Sequence, residues 1–212
     1  MTLVAFDFDG TLSEAEMLVA LGERYGVAEA IGDITARAMR GELSYAESLR
    51  ERAAMLEGLP EHEAAAAYEE TALRQGAADV LDRLHDAGHT TAILTGGFTP
   101  GVDAALERDG ASVDRIVAND LPVAEGALTG EVTGPLIEGT KDEALDELCQ
   151  EYGVDPTNTV AVGDGANDLP MLKAAGHAVG FEPKDAVEPH CDDVVTTMDA
   201  LAGLFERTGL LD

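Results

Sequence analysis

The apolar residues of this chain fall into two alternating patterns. Short unbroken runs occur at Leu3-Val4-Ala5-Phe6, Thr91 to Leu94, Ile116 to Ala118, Thr159 to Val162, Ala178 to Gly180 and Val194 to Thr196. Their length and continuity predict strands buried on both faces. Between most of them lie stretches with helical spacing of apolar positions: Ala77 to Ala87, Gly101 to Arg108, Lys141 to Tyr152 and Leu169 to Ala175. Strand and helix in alternation predict right-handed crossovers, hence an α/β fold with a Rossmann-like parallel sheet core and helices on both faces.

One region breaks the alternation. From Ser13 to Gln75 the signals are helical, with no convincing strand: Met17, Leu18, Leu21 and Tyr25, then Ile31 and Ile34, then Tyr45, Leu49 and Leu56, then the Ala-rich segment Glu61 to Leu73. Gly26, Gly41 and Gly58-Leu59-Pro60 punctuate them. Four helices inserted straight after the first strand predict a helical-bundle cap, residues 13–75, over the carboxyl end of the sheet. The α/β core is then discontinuous, residues 1–12 and 76–212. Leu121 to Gly134, with Glu125-Gly126 and Thr129-Gly130 as turn signals, predicts a β-hairpin.

Charge narrows the range of partners. The 212 residues include 42 acidic and 13 basic ones, a formal net charge of −29, so nucleic acid and anionic membranes would be repelled. The acids are spread along the chain, and Lys141, Lys173 and Lys184 are the only lysines. This is the expected surface of a halophilic protein, in which molar salt screens self-repulsion. No apolar run approaches the roughly 20 residues of a membrane-spanning helix and no basic leader precedes the first strand, so a cytoplasmic location is expected. Cys149 and Cys191 form no disulfide framework and are expected to be free thiols; His190 beside Cys191 lacks the second pair that a metal site needs. Nothing in these patterns specifies an oligomeric state.

The candidate chemistry sits where predicted strands end. In Asp7-Phe8-Asp9-Gly10-Thr11-Leu12, residues i and i+2 of an extended segment point the same way, so both carboxylates can face one site while Phe8 enters the core. Such a pair needs a cation or a shared proton to relieve its repulsion, and the carboxyl ends of strands are where open α/β sheets place ligands. The bland alternative is a polar turn with a helix cap. Thr95-Gly96-Gly97-Phe98 offers two glycines whose N–H groups an anion can approach, plus a hydroxyl donor. By itself it could be any turn; Thr99-Pro100 reads as cap and first residue of the next helix. Thr140 and Glu143 form a capping-box pattern, which puts Lys141 in a first helical turn where the macrodipole disfavours a cation, so a phosphate or carboxylates should compensate it. Gly163-Asp164-Gly165-Ala166-Asn167-Asp168 follows another strand. Asp164 can be a metal ligand there, with Asp168 supporting the metal or holding Lys141. Alternatively Asn167 or Asp168 caps the helix carrying Pro170. Asp7, Asp164 and the backbone carbonyl of Asp9 would suffice for Mg2+.

Together, DFDGTL, TGGF, the lysine and GDGAND resemble the four motifs of the haloacid dehalogenase-like hydrolase superfamily, across essentially the whole chain, and the helical insert resembles that of its phosphoserine phosphatase family. The resemblance implies a Mg2+-dependent phosphomonoesterase that converts O-phospho-L-serine to serine, the last step of serine biosynthesis, through an aspartyl phosphate. It implies Asp7 as nucleophile, Asp9 as general acid and base, Thr95, Gly96, Gly97 and Lys141 around the phosphate, and Asp7, Asp9 and Asp164 as the magnesium site with Asn167 and Asp168 beside it. For substrate choice it implies Glu16 for the substrate ammonium, Arg52 for its carboxylate, and Met39, Tyr45 and Phe98 as walls. Thr95 stands where the family more often has Ser, and Gly10 where Ser is frequent; both departures bear on the substrate rather than the chemistry. Plainer roles compete: Ser13 and Glu16 also form a capping-box pattern, Arg52 could pair with a surface acid, and Met39 and Tyr45 could be bundle core. Competing functions are a phosphoserine-dependent phosphotransferase, a phosphatase of another small metabolite, and a non-catalytic binding protein on the same scaffold.

Overall fold

The computed structural model describes residues 1–138 and 140–212. Six parallel strands form the central sheet: β1 (Leu3–Phe6), β2 (Thr90–Phe98), β3 (Arg115–Asn119), β6 (Thr159–Gly163), β7 (His177–Phe181) and β8 (Asp193–Val195), in the order β3-β2-β1-β6-β7-β8. The chain moves outward from β1 in both directions, so the crevice at the carboxyl end of β1 is a topological switch point, where sheets of this kind bind ligands.

Alternation along β1 divides the core in two. Val4 and Phe6 pack with α5 (Ala77–Asp86), α6 (Thr99–Asp109) and α9 (Met198–Thr208), whereas Leu3 and Ala5 face α7 (Lys141–Tyr152) and α8 (Leu169–Ala174). All four β1 residues are fully buried, as an uninterrupted apolar run between two helical layers requires.

Between β1 and α5 lie α1 (Met17–Tyr25), α2 (Ala28–Met39), α3 (Tyr45–Ala54) and α4 (Glu61–Glu70). Their inner residues, among them Met17, Leu21, Ile31, Leu49 and Tyr68, join the same apolar cluster as Phe6 and Phe98. The chain leaves and rejoins the sheet layer at one place, where Ser13 bridges Leu73 and the Arg74 N–H donates to Leu12 O at 2.7 Å. The hairpin is present as β4 (Val123–Ala124) and β5 (Ala127–Leu128). Its two-residue turn has positive φ at both Glu125 (52°) and Gly126 (80°), the pairing that follows the twist of antiparallel strands. It props the inserted helices: Gly58 N–H donates to Leu128 O at 2.9 Å, Leu128 N–H to Leu59 O at 2.8 Å, and Glu61 N–H to Gly126 O at 2.9 Å.

Three local expectations are corrected. Ser13 does not cap α1; its hydroxyl accepts the Ala15 N–H at 3.2 Å, and the N-cap position is Glu16, without a side-chain cap. Thr140 precedes α7 without capping it, because its hydroxyl donates to Pro135 O at 3.1 Å. Thr99 lies inside α6, with Phe98 before it, and its hydroxyl turns toward Asn119 O. Among the described residues, no helix is long and apolar enough to cross a membrane. Cys149 and Cys191 are both free thiols.

Candidate active site

The site begins with the turn that follows β1. Asp7 continues the strand, its N–H donating to Val162 O at 2.8 Å, and the chain then closes through Thr11 and Ser13 N–H groups on Phe8 O. Phe8 is fully buried. Gly10 takes a left-handed φ of 88°, and a side chain there would lie 2.9 Å from the Asp164 carboxylate. Glycine thus meets two demands at once, the backbone conformation and the close approach of the loop after β6.

Asp7 and Asp9 both open into one cavity of about 590 Å³ between the sheet and the inserted helices. Their environments differ sharply. Asp7 Oδ1 lies 2.6 Å from Lys141 Nζ, which also sits 2.5 Å from Asp168 Oδ1, and all three side chains are at most 3% exposed. Burial alone would lower the lysine pKa, but the two carboxylates outweigh it and hold the ammonium charged. Burial, reinforced by Asp168 and only partly countered by Lys141, drives the Asp7 carboxyl well above the usual carboxylate range. Among the described residues Asp9 touches no cation: one oxygen accepts the Met17 N–H of α1 at 3.4 Å, and the other is buried without a partner there. Burial first, then the nearby Glu16 charge, pushes the Asp9 carboxyl up to about 8.

Asp168 holds Lys141 with one oxygen and accepts the N–H groups of Asp164 (3.0 Å) and Gly165 (2.9 Å) with the other. It therefore shapes the loop after β6 and does not cap the helix with Pro170. Asn167 lines the cavity and donates to Asp168 Oδ1 at 3.4 Å. Oxygens of Asp7, Asp164 and Asp168 come within 4.8 Å of one another. Burial and then Asp168 raise the Asp164 carboxyl as well. Mutually destabilised carboxylates beside an unpartnered buried oxygen of Asp9 form an oxygen-rich donor set that fits a hard divalent cation.

Across the cavity, β2 runs on through the Thr95-Gly96-Gly97 segment to Phe98, with a register shift against β3 between Leu94 and Phe98. Thr95, Gly96 and Gly97 line the cavity, and the buried Thr95 hydroxyl accepts the Gly97 N–H at 2.9 Å. From the inserted segment come Glu16, Met39, Tyr45 and Arg52. Arg52 donates to Ser48 O at 3.3 Å, and among the described residues no carboxylate lies within 4.0 Å of its guanidinium, which removes the surface-pair alternative. Met39 is 75% exposed and stands at the cavity rim instead of in a bundle core. Tyr45 sets its hydroxyl against Gly96, where a Cβ would lie only 1.7 Å from it. Burial raises its phenol to about 12, so the group is a neutral donor.

Phe98 is not a wall of the cavity. It is fully buried and meets Tyr68 edge-on at 6.5 Å between ring centroids, because β2 stays extended past the glycines and alternation turns its ring into the core. Two polar residues were not anticipated. Asn119, fully buried at the end of β3, donates to Gly96 O and accepts the Leu136 N–H, bracing the second-motif segment against the approach to α7. Lys184 lines the cavity with Nζ 3.0 Å from Asp164 Oδ2. A polar residue closing an apolar strand was the signal for the first, and the scarcity of lysine for the second.

The switch-point cavity, with one aspartate bound to a buried lysine and a second facing the same space, lies in a chain whose residues 4–173 fit the haloacid dehalogenase-like hydrolases. The chain belongs to that family. Curated relatives within it include phosphoserine phosphatases. The chain is 55% identical over 210 residues to the phosphoserine phosphatase of Halobacterium salinarum, covering 99% of this chain and 100% of that one. Two solved structures are similar to it: a phospho-aspartyl intermediate analogue of phosphoserine phosphatase (TM-score 0.88, 33% identity, 96% of this chain and 98% of that) and a substrate-bound phosphoserine phosphatase complex (TM-score 0.88, 34% identity, 96% of each).

Proposed function

We propose that this chain hydrolyses O-phospho-L-serine to serine and phosphate. An Asp7 oxygen attacks phosphorus in line, forming the acyl-phosphate bond as the bond to the seryl oxygen breaks. Asp9 gives its proton to that departing oxygen. Water then attacks the aspartyl phosphate, Asp9 takes its proton, and phosphate leaves with Asp7 restored. Mg2+, held by Asp7, Asp164 and the Asp9 carbonyl, would offset negative charge on the phosphoryl oxygens when bound. Lys141 fixes the attacking carboxylate, while Thr95, Gly96 and Gly97 supply donors to the phosphoryl oxygens.

The observation that carries this reading is the contrast between the two aspartates. Among the described residues, Asp7 is ion-paired to Lys141, whereas Asp9 has no cationic partner, accepts only the Met17 N–H and keeps one buried oxygen free. One is equipped to be a nucleophile and the other to carry a proton. Substrate choice is assigned to the segment 13–75, acting as a cap over the core of residues 1–12 and 76–212: Arg52 offers an unpaired fork to a carboxylate, and Glu16 a charge to an ammonium. The reading places the enzyme in the cytoplasm, acting on a small metabolite.

The test is a phosphate-release panel over phosphorylated metabolites at high KCl, with and without Mg2+. Phosphoserine should be the preferred substrate and Asp7→Asn should abolish release; release that survives this substitution refutes the mechanism. Arg52→Ala should cut kcat/KM on phosphoserine by about 100-fold or more, as losing a charge-assisted pair implies, and far less on p-nitrophenyl phosphate. Equal losses would take Arg52 out of substrate recognition.

A further inference from the structure

Of the three lysines in this chain, Lys173 is exposed on the last turn of α8, and the other two are at the active site. Lys141 has its partners in Asp7 and Asp168. Lys184 has no part in the reaction described above, yet it is fixed to the same place by two bonds of different kinds. Its N–H donates to the Asp164 carbonyl at 2.9 Å, and its ammonium lies 3.0 Å from Asp164 Oδ2. Main chain and side chain of one residue thus grip main chain and side chain of the other.

The segment presenting Lys184 is constrained as well. Glu182 adopts a positive φ of 44°, uncommon for a non-glycine residue. Its N–H is held by Val195 O at 2.8 Å and its carboxylate by Arg74 at 3.2 Å. Arg74 in turn donates to Gly10 O at 3.1 Å and stacks on Phe181 at 5.0 Å. Pro183 stiffens the next position, and Lys184 O then accepts the N–H of Val187 at 2.7 Å. The loop after β7 is thereby tied to the turn carrying Asp9 and to the loop carrying Asp164.

We propose that Lys184 is a positioning residue for the divalent-cation site: it engages Oδ2 of Asp164 and so fixes the orientation of the carboxylate that would hold the cation together with Asp7. Carboxylates that bind metals work best when a neighbouring donor fixes their orientation. A lysine suits the task because its compact ammonium can hold one oxygen, whereas a guanidinium fork tends to take both. The inference rests on the proposed function only for the existence of a cation site.

The test is direct metal binding without substrate. Mn2+ is titrated into the wild type, Lys184→Met and Lys184→Arg at constant high KCl, with free Mn2+ read by electron paramagnetic resonance. Far-UV circular dichroism and Tm establish that each variant folds. Lys184→Met should weaken binding about 10- to 100-fold, and Lys184→Arg should recover part of that loss. Should Lys184→Met fail to fold, Lys184→Gln is titrated by the same criterion. Affinity equal to that of the wild type overturns the proposal; higher affinity does so too, and makes the ammonium a competitor of the cation. If the wild type releases phosphate from phosphoserine while Lys184→Met binds Mn2+ normally, only the role of Lys184 falls. If Mn2+ affinity drops as expected but the wild type releases no phosphate, the reaction assignment falls and the positioning role stands.

Discussion

Lys141 keeps a full charge where almost no water reaches it, and does so only because two carboxylates share it. Removing one partner of such an arrangement strands the others. Lys141→Met should therefore cost about 3–5 kcal/mol of unfolding free energy, as breaking buried ion pairs does, measured by denaturant titration at fixed KCl. Adding Asp168→Asn should return part of the loss by removing one stranded charge, and strict additivity would contradict this. Asp9 gives a prediction with a definite sign. In the metal-free protein its carboxyl keeps a proton up to about pH 8, whereas in the unfolded chain it loses that proton near pH 4. Between these values the native state binds the extra proton, so stability is fully present at low pH and declines as pH rises through the window. Melting in EDTA from pH 5 to 8 should show the decline, and Asp9→Asn should make it shallower, with the raised carboxyls of Asp7 and Asp164 carrying the rest; an unchanged slope would place the titration elsewhere.

At the scale of elements, the runs read as buried strands became strands because nothing at those positions competes with the sheet, and Leu3–Phe6 is buried along its whole length. The four helical segments before Gln75 and the hairpin at Glu125-Gly126 were legible for the same local reasons. Capping patterns mislead where the side chain or backbone finds another partner. Thr140 and Glu143 look like a capping box only while Pro135 O is out of view, and Ser13 only until its backbone bridges Leu73. The resemblance implies Phe98 as a wall, but the direction of its ring depends on how far β2 runs. The Tyr45–Gly96 contact joins an inserted helix to the second-motif segment and is equally invisible in sequence. Gly96→Ala should press that tyrosine away and lower kcat/KM by about tenfold or more, ~1.4 kcal/mol. Combining it with Tyr45→Phe should restore part, a coupling of about 0.5–3 kcal/mol; independent effects would show that the two do not meet during turnover.

At the scale of the molecule, a net charge of −29 is carried by a fold whose core is ordinary. Screening shortens from about 10 Å at 0.1 M salt to 3 Å at 1 M, so self-repulsion fades as salt rises. Tm should climb steadily with KCl from 0.1 to 3 M, and a melting temperature indifferent to salt would refute the halophilic reading. The similarity to the Halobacterium salinarum phosphatase over nearly the whole chain agrees with that expectation.

Ser13 paired with Leu73 sets the start and finish of a sixty-residue excursion side by side. Closing a loop already closed at its base costs little more when the loop is long than when it is short. A different excursion could be grafted between those neighbouring points, provided its underside is greasy enough to sit on the sheet layer. The carboxylates and the lysine of the sheet layer would be inherited, but the Met17 N–H on Asp9 and the Tyr45 contact with Gly96 would have to be supplied anew.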